Sequence, residues 1–494
     1  MGFWTRTKLD RRSMKSHWGA MRDMDRNERK SHDIEDLSQK YKQPKNIEQY
    51  GIEQVPEAER TVRWYDIFFM VINFLMNPGM ILIGGMAVAS GLSFWAAIAS
   101  VVLGIAVAFV AYLIMATIGV DYGVSGAVAT RMVYGVRGSK YTVSLFRAAT
   151  GIYWFSIQTI VGAAAIAVVI NKLFQAEVSI VAVSLIFAIF QIVVATFGYN
   201  WLKFLSRIAL PIKLIGLIAI CYMFMTHDDP NYAIPKVFGY EGTVGWGWGV
   251  FIVSLNSLTA IWLSMTTDAA DFCRYSRTRV DMWIGTMAAA CIGTFTSAFV
   301  GAYSAAATLG KVPNGLEGAA TIASSGFALF MILLVVVLDN WTINVLNIYT
   351  SSLSVVNMVP KLGRFWATLL VSVIGVGLSI FPSMLNKLQD TMTVSGIFYA
   401  PLAAVVITDY VFVKKGVLLV DQLFEENGIY RYSNGWNIPA LTWTIIGFVV
   451  YQYTPPEYFQ SIVCIVLTGF GYYFHQKLNG QVQKQREMLA KMSA

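Results

Sequence analysis

The chain has 494 residues, of which 56% are hydrophobic and 13% charged, and its formal net charge is +8 at pH 7. Soluble globular domains carry roughly 25% charged residues, so most of this surface cannot face water. The basic residues lie between apolar runs or in the tails and form no amphipathic stripe, which argues against nucleic acid as a partner. The four cysteines indicate neither disulfides nor metal ligands, because each lies in or beside an apolar run: Cys221, Cys273, Cys291 and Cys464.

Twelve apolar runs follow a polar beginning. Most are long enough to cross a bilayer as a helix, which takes about 20 residues, and they lack the alternation of barrel strands. We therefore predict an all-α polytopic membrane protein with twelve transmembrane helices, in which 1–62 form a cytoplasmic tail, 63–480 the transmembrane domain and 481–494 a second cytoplasmic tail. The runs lie at 65–91, 93–119, 141–171, 177–198, 203–226, 246–268, 281–308, 324–350, 364–381, 392–413, 438–454 and 458–475.

Lysine and arginine are unevenly distributed over the predicted loops. With the N-terminus inside, every inner loop is more basic than its outer neighbours; Arg131, Arg137 and Lys140 share one inner loop, whereas Lys172 and Lys236 are isolated in outer loops. Cytoplasmic loops carry the excess of positive charge, so both termini are predicted to be cytoplasmic. We expect an integral protein of a bacterial inner or plasma membrane.

The first apolar run contains Asn77-Pro78-Gly79 at its middle, in the stretch WYDIFFMVINFLMNPGMILIGGMAVASG. Proline removes a backbone donor and glycine loosens the turn, so the helix is expected to break there. Transporters use such breaks to direct backbone carbonyls and helix ends at ions and substrates. A simple packing kink remains the alternative.

The sixth run, FIVSLNSLTAIWLSMTTDAADF, has no proline but is rich in Ser, Thr and Asn. This composition indicates a helix that faces an internal polar site or is locally unwound, and helix–helix hydrogen bonding is the alternative. Its position predicts that it corresponds to the first run in a five-plus-five inverted repeat. Asp268 and Asp271, with Arg274, are interpreted as a charge network at its inner end, and Arg147 as an interfacial anchor at the start of the third run.

Candidate ligand-binding side chains lie near the middle of two runs. Trp154 and Gln158, four residues apart in the third run, share one helix face, and Trp262 lies at the middle of the sixth run. Indoles provide flat stacking surfaces, and a carboxamide offers a donor and an acceptor to the edge of a planar ring. Packing of the tryptophans and interhelical hydrogen bonding by Gln158 are the alternatives.

The eighth run carries the one carboxylate that we place deep in the membrane, Asp339. A buried charge is costly there, so it needs a partner: sodium, a proton or a cationic group of the solute. Thr342 shares its helix face, and Asn340, Asn344 and Asn347 lie on a neighbouring face. Structural hydrogen bonding is the alternative for this cluster.

Five segments, in order, resemble nucleobase–cation symporter family 1, whose permeases transport cytosine, purines, uracil, allantoin and benzyl-hydantoin. The resemblance runs from about residue 50 to the end of the chain. The segments are YGVSGAVATRMVYGVRGS, FRAATGIYWFSIQTIVGA, DAADFCRYSR, NWTINVLNIYTSSLSVVNMVPK and ITDYVFVKKGVLLVDQLF with GIYRYSNGWNIPAL.

The resemblance implies a leucine-transporter-like five-plus-five inverted repeat with two extra C-terminal helices. It also implies that Trp154 and Trp262 sandwich the ring, that Gln158 binds its edge, and that either Asn347 or Asn344 contacts the substrate.

For the ion, the resemblance implies a sodium site that joins backbone carbonyls of the first run, at Asn73, Met76 and Asn77, to hydroxyls of the eighth run. The chain departs from the family there, because Thr342 is flanked by Trp341 and Ile343 and one hydroxyl ligand is missing. Sodium at Asp339 and Thr342, or a proton on Asp339, are the two possibilities. Ala260 and Ile261 replace small residues beside Trp262, which leaves the exact solute open.

The function predicted from these features is secondary active import of a small planar heterocycle with Na+ or H+ by alternating access. A symporter of the same fold for a cationic amine, vitamin or amino acid is the alternative. An enzyme is not expected, because the chain has no HExxH or GxSxG motif, and neither is a channel, because it has no filter-like repeats or rings of charge. The expected partners are the heterocycle and membrane lipid, with no cofactor beyond the coupling ion; the oligomeric state is left open.

Overall fold

A computed structural model of the chain describes residues 52–195, 199–425, 428–485 and 487, so most of the first predicted tail and the end of the second lie outside the described residues. Thirteen principal helices make up the fold, joined by short helices and turns. They are α1 (Trp64–Leu75), α2 (Pro78–Ala89), α3 (Phe94–Tyr122), α4 (Ser144–Phe174), α5 (Ile180–Ala195), α6 (Tyr199–Met225), α7 (Trp248–Trp262), α8 (Arg279–Ala307), α9 (Gly326–Met358), α10 (Gly363–Leu378), α11 (Leu388–Ile407), α12 (Ile438–Tyr453) and α13 (Gln460–Leu478).

The all-helical prediction is confirmed, and each of the twelve predicted apolar runs contains one of these helices or, in the first run, two. Within the described residues, eight helices are long and apolar enough to cross a membrane, and α1 with α2 makes a ninth if the bent pair counts as one span. The helices α5 and α12 are apolar but shorter. The number twelve therefore stays a prediction, as do the boundaries of the two tails.

The first run breaks where the sequence predicts. The axes of α1 and α2 differ by 50°. Asn77 is the N-cap of α2 and its side chain accepts a hydrogen bond from the Met80 N–H, while Pro78 occupies the first helical position, where its missing N–H costs nothing. The break is therefore a helix end followed by a properly capped helix start rather than a gentle kink.

The sixth run is interrupted without proline. After Trp262, α7 tightens into a 3₁₀ turn at Leu263–Thr266 and continues as a short helix at Ala269–Cys273. The Thr267 hydroxyl donates to the Ser264 carbonyl at 3.0 Å. Such side chain–backbone hydrogen bonds compete with the regular helical pattern, which accounts for an interruption in a Ser/Thr-rich segment. The α-helical pattern is therefore interrupted there by a tighter turn and not by unwinding of the chain.

The bundle is built around two packed groups of helices. One of them is α8 against α1, α2 and α3, and in the other α9 lies along α4, α6 and α10. Small residues allow the close crossings: a Cβ atom added at Gly301 in α8 would lie 1.8 Å from the Ile81 carbonyl oxygen of α2. Within the first group, α1 also packs against α6 and α9, so the broken pair connects the two groups.

Replacing Gly301 with alanine is expected to destabilise the protein, because the new methyl group must push α8 away from α2. Overpacking of this kind costs about 1–3 kcal/mol. We expect a lower melting temperature for purified Gly301→Ala than for wild type. Gly377→Ala is the control, because a Cβ atom there meets nothing within 4 Å. Equal melting temperatures for the two variants would contradict the predicted tight crossing.

Candidate functional site

A cavity lies beside the break between α1 and α2, among α4, α7 and α9. Its wall combines aromatic and apolar side chains with a few amide, hydroxyl and carboxylate groups, the usual composition of a small-molecule site. The lining residues are Phe74, Asn77, Gly79, Met80, Ile83, Trp154, Gln158, Ile261, Trp262, Ser264, Met265, Asp268, Phe272, Ile343, Leu346, Asn347 and Thr350.

Two indoles from different helices border this cavity, Trp154 from α4 and Trp262 from α7. Trp262 is only 7% exposed and stacks on Phe74 with ring centroids 5.9 Å apart and planes at 28°. Phe109 also packs against it, at 5.8 Å. Trp154 is half-buried, so more of its surface remains open. One indole is thus fixed by aromatic packing, and the second has more freedom to adjust.

Gln158 is held in place by the break in the first run. Its Nε2 donates to Asn77 Oδ1 at 2.9 Å, and its Oε1 accepts a hydrogen bond from the Gly79 N–H at 2.9 Å. A Cβ atom at position 79 would come within 2.6 Å of Nε2, so this approach requires glycine. The carboxamide still has one N–H and one acceptor lone pair that it can present to a ligand.

Asn344 and Asn347 have different surroundings. Asn344 is fully buried between helices, where its Nδ2 lies 3.0 Å from Thr159 Oγ1 and also donates to the Gln191 side chain. Asn347 borders the cavity, and its Nδ2 donates to Asn344 Oδ1 at 3.1 Å. Of the two registers that the sequence left open, the structure brings Asn347 to the cavity and leaves Asn344 behind it.

A second cluster of polar atoms lies at the opposite side of the break, between α1 and α9. It contains four of the five residues predicted for ion coupling: Asn73, Met76, Asp339 and Thr342. The fifth, Asn77, caps α2 and borders the cavity instead. The centre of the cluster is the ammonium group of Lys213 from α6.

The Lys213 Nζ atom lies 2.8 Å from both Asn73 Oδ1 and the Met76 carbonyl oxygen. It is 3.4 Å from Thr342 Oγ1 and 2.5 Å from the Asp339 carboxylate. The side chains of Lys213 and Asp339 are both fully buried. Asp339 therefore has a charge partner supplied by the chain itself.

The break explains why the Met76 carbonyl is available. In a continuous helix it would accept the Met80 N–H, but that group donates to Asn77 Oδ1 instead, at 2.9 Å. A backbone carbonyl within the membrane needs a hydrogen-bond donor from the protein, because the bilayer core contains no water to supply one. Lys213 supplies that donor.

A third polar group consists of Arg147, Asp268 and Asp271. The arginine forms ion pairs with both carboxylates, and Asp271 also accepts a hydrogen bond from the Gly126 N–H at 2.7 Å. Arg147 is only 3% exposed, so its interpretation as an interfacial anchor is wrong. The group joins the start of α4 to the segment after α7, and Asp268 also borders the cavity.

Lys213 is the main residue that the sequence analysis missed. A signal was present: the residue is the one charged residue in the apolar stretch IALPIKLIGLIAI. A charged residue inside a membrane-spanning segment is rare and needs a partner, so Lys213 is a candidate functional residue for the same reason as Asp339. Phe74, which supports Trp262, had no comparable signal because aromatic residues are common throughout the chain.

The chain is similar to known permeases. The model of the family "Permease for cytosine/purines, uracil, thiamine, allantoin" matches residues 54–472. The purine-uracil permease NCS1 of Arabidopsis thaliana is 23% identical, covering 79% of this chain and 69% of the relative. The hydantoin permease of Microbacterium maritypicum is also 23% identical and covers 82% and 84%.

One solved structure that resembles this chain is that of Mhp1, a nucleobase-cation-symport-1 family transporter, in a closed conformation with bromovinylhydantoin bound. It superimposes with a TM-score of 0.74 at 18% identity, covering 87% of this chain and 96% of that one. A Na+-coupled sialic acid symporter superimposes with a TM-score of 0.62 at 12% identity, covering 94% and 97%. These likenesses concern the fold.

Interrupted helices around a cavity with polar and aromatic walls, in an all-helical integral membrane protein, define a membrane transporter. The family match decides which kind: the chain belongs to the permeases for cytosine and purines, uracil, thiamine and allantoin, nucleobase–cation symporter family 1.

The ion pairs of Arg147 are expected to stabilise the folded protein. Arg147→Gln leaves the buried Asp271 and the partly buried Asp268 without their cation, and breaking a buried pair in this way costs about 3–5 kcal/mol. We expect a large fall in melting temperature. Arg277→Gln is the matched control, because the Arg277 side chain is 55% exposed in its pair with Asp281 and such pairs contribute at most about 1 kcal/mol. Similar melting temperatures for both variants would contradict a structural role for the buried group.

Proposed function

We propose that this protein imports a small planar heterocycle, of the nucleobase, hydantoin or allantoin type, by alternating access with a cation as the driving ion. The observation that carries the proposal is the cavity wall, in which Trp154, Trp262 and the fixed carboxamide of Gln158 face one space. Two indoles suit the faces of a flat ring, and the carboxamide suits its polar edge.

Asn347 completes the proposed binding set. It borders the same cavity from α9, and its own amide is oriented by Asn344. A ring that stacks between the indoles would then meet polar groups from both α4 and α9. This arrangement favours solutes with donors and acceptors around a compact ring over extended or purely apolar ones.

The fold supports alternating access through its interrupted helices. The bent pair α1–α2 and the interrupted segment after α7 both border the cavity, so small rotations at either place change access to it. We place the Arg147–Asp268–Asp271 group on the cytoplasmic side, where it would hold that side closed. We further propose twelve spans in a five-plus-five inverted repeat with two extra C-terminal helices, both termini in the cytoplasm, and no cofactor beyond the coupling ion.

The alternative, a carrier for a cationic amine, vitamin or amino acid, depended on Asp339. That carboxylate is fully buried, does not border the cavity and is paired with Lys213. Asp268 does border the cavity but is paired with Arg147. Asp339 is therefore neutralised by Lys213 and does not favour a cationic solute, whereas Asp268 shares the single cation of Arg147 with Asp271.

The first test is thermal stabilisation of the purified protein by a panel of nucleobases, hydantoins, allantoin, vitamins and amino acids. A ligand that binds only the folded state raises the melting temperature by mass action. We expect a heterocycle from the first three groups to stabilise the protein. Stabilisation by cationic amines alone, or by no compound of the panel, would refute the proposed substrate class while leaving the fold intact.

The stacking role of Trp154 predicts a loss of affinity in Trp154→Ala. Stacking of a base on an aromatic side chain is worth about 1–3 kcal/mol, so the Kd of the stabilising heterocycle should rise by a factor of about 5 to 150. Trp366→Ala is the matched control, because Trp366 in α10 is 60% exposed and distant from the cavity wall. Unchanged affinity in Trp154→Ala would remove the indole from the binding set.

The two asparagines of α9 are expected to behave differently. Asn347→Ala should weaken substrate binding, because it borders the cavity, and should lower the melting temperature less than Asn344→Ala, because it removes only the one hydrogen bond to Asn344 Oδ1. Asn344→Ala should lower the melting temperature, since it leaves buried partners such as Gln191 unsatisfied, at about 1–3 kcal/mol per group. Measuring Kd and melting temperature for both variants checks this, and the reverse pattern would assign the substrate contact to Asn344.

A further inference from the structure

The cluster around Lys213 has the composition of a cation-binding site. Its oxygens come from a carboxylate, a backbone carbonyl, a side-chain amide and a hydroxyl: Asp339, Met76, Asn73 and Thr342. Hard cations take such oxygen ligands, and broken helices in transporters direct carbonyl oxygens at them. Here the oxygens surround an ammonium group that is covalently part of α6.

The charges of the cluster balance with Lys213 in place. The ammonium contributes one positive charge and the Asp339 carboxylate one negative charge, and both side chains are fully buried. Neither carboxylate oxygen has another hydrogen-bond partner among the described residues. A second cation at the same place would meet the ammonium at close range in a poorly solvated environment, where like charges repel strongly.

The space at the cluster also argues against a second cation there. The Nζ atom lies 2.8 Å from the Met76 carbonyl oxygen and 3.4 Å from Thr342 Oγ1, so it already stands between α1 and α9. An ion that bridged these two helices would have to displace it. Lys213 is 0% exposed, which gives the ammonium no solvent-filled position to move into.

We propose that the Lys213 ammonium is a tethered cation that replaces sodium between α1 and α9, so that sodium neither binds there nor drives transport. The part of this inference that concerns transport rests on the proposed function, and the part that concerns the ion does not. The departure of the eighth run from the family pattern, a single hydroxyl at Thr342, then has a physical explanation, because an ammonium group already bound by Asp339 does not need a second hydroxyl ligand.

The test is the melting temperature of purified wild type and Lys213→Ala in NaCl and in KCl at equal concentration, without any substrate. Wild type is expected to melt at the same temperature in both salts. Lys213→Ala removes the tethered cation and leaves its oxygens, so sodium should fill the place and raise the melting temperature by roughly 2–5 °C over the value in KCl. Lys311→Ala, at an exposed lysine outside the cluster, is the control and should show no difference.

Two further measurements keep the inference testable if Lys213→Ala alone does not fold. The double variant Lys213→Ala with Asp339→Asn has no unpaired charge and should lose the sodium effect. Saturable binding of radioactive sodium to wild type should be absent. A sodium effect or sodium binding in wild type, a folded Lys213→Ala that is indifferent to sodium, or a double variant that keeps the effect would each overturn the proposal.

Transport is measured separately, as heterocycle uptake into vesicles with NaCl or KCl outside. Equal uptake in both salts is the expected result, and sodium-dependent uptake by wild type would overturn the inference. If no heterocycle is bound or taken up, the proposed function fails, whereas the melting and binding measurements still decide the role of Lys213.

Discussion

A backbone that leaves its helical pattern inside a membrane must find new hydrogen-bond partners, and most of the features described above follow from that requirement at one place. The break between α1 and α2 frees groups that a continuous helix would pair internally. The Asn77 side chain accepts a hydrogen bond from the Met80 N–H, and the Gln158 side chain accepts one from the Gly79 N–H. Lys213 donates to the Met76 carbonyl. Three side chains from three helices thus pair the groups freed by the break, and each is fixed in return.

The two functional clusters are connected through the same break. Gln158 meets it on the cavity side, and Lys213 meets it on the side of α9. A change in the bend between α1 and α2 would alter both contacts together, because Met76 and Gly79 are only three residues apart. Mechanical coupling between the cavity and the Lys213 cluster needs no long pathway, since one short segment borders both places.

The buried ion pairs differ in what they join. Lys213 and Asp339 connect α6 with α9, while Arg147 connects α4 with the interrupted segment after α7 through Asp268 and Asp271. Buried pairs add little net stability because of the desolvation of both partners, but losing one partner is costly. They therefore act as position-specific connections between helices that apolar packing alone would leave free to slide.

The sequence by itself determined the helical class, the position of nearly every helix and the break at Asn77-Pro78-Gly79, because apolar run length and the chemistry of proline and glycine are local properties. It also singled out Trp154, Gln158 and Trp262, since such side chains are conspicuous at the middle of an apolar run. The tertiary structure alone decided which helix faces meet. It brought Lys213 to Asp339, turned Asn347 rather than Asn344 to the cavity, and buried Arg147 against two carboxylates. Helical periodicity fixes which residues share a face, but the neighbour of that face depends on packing between segments far apart in the chain.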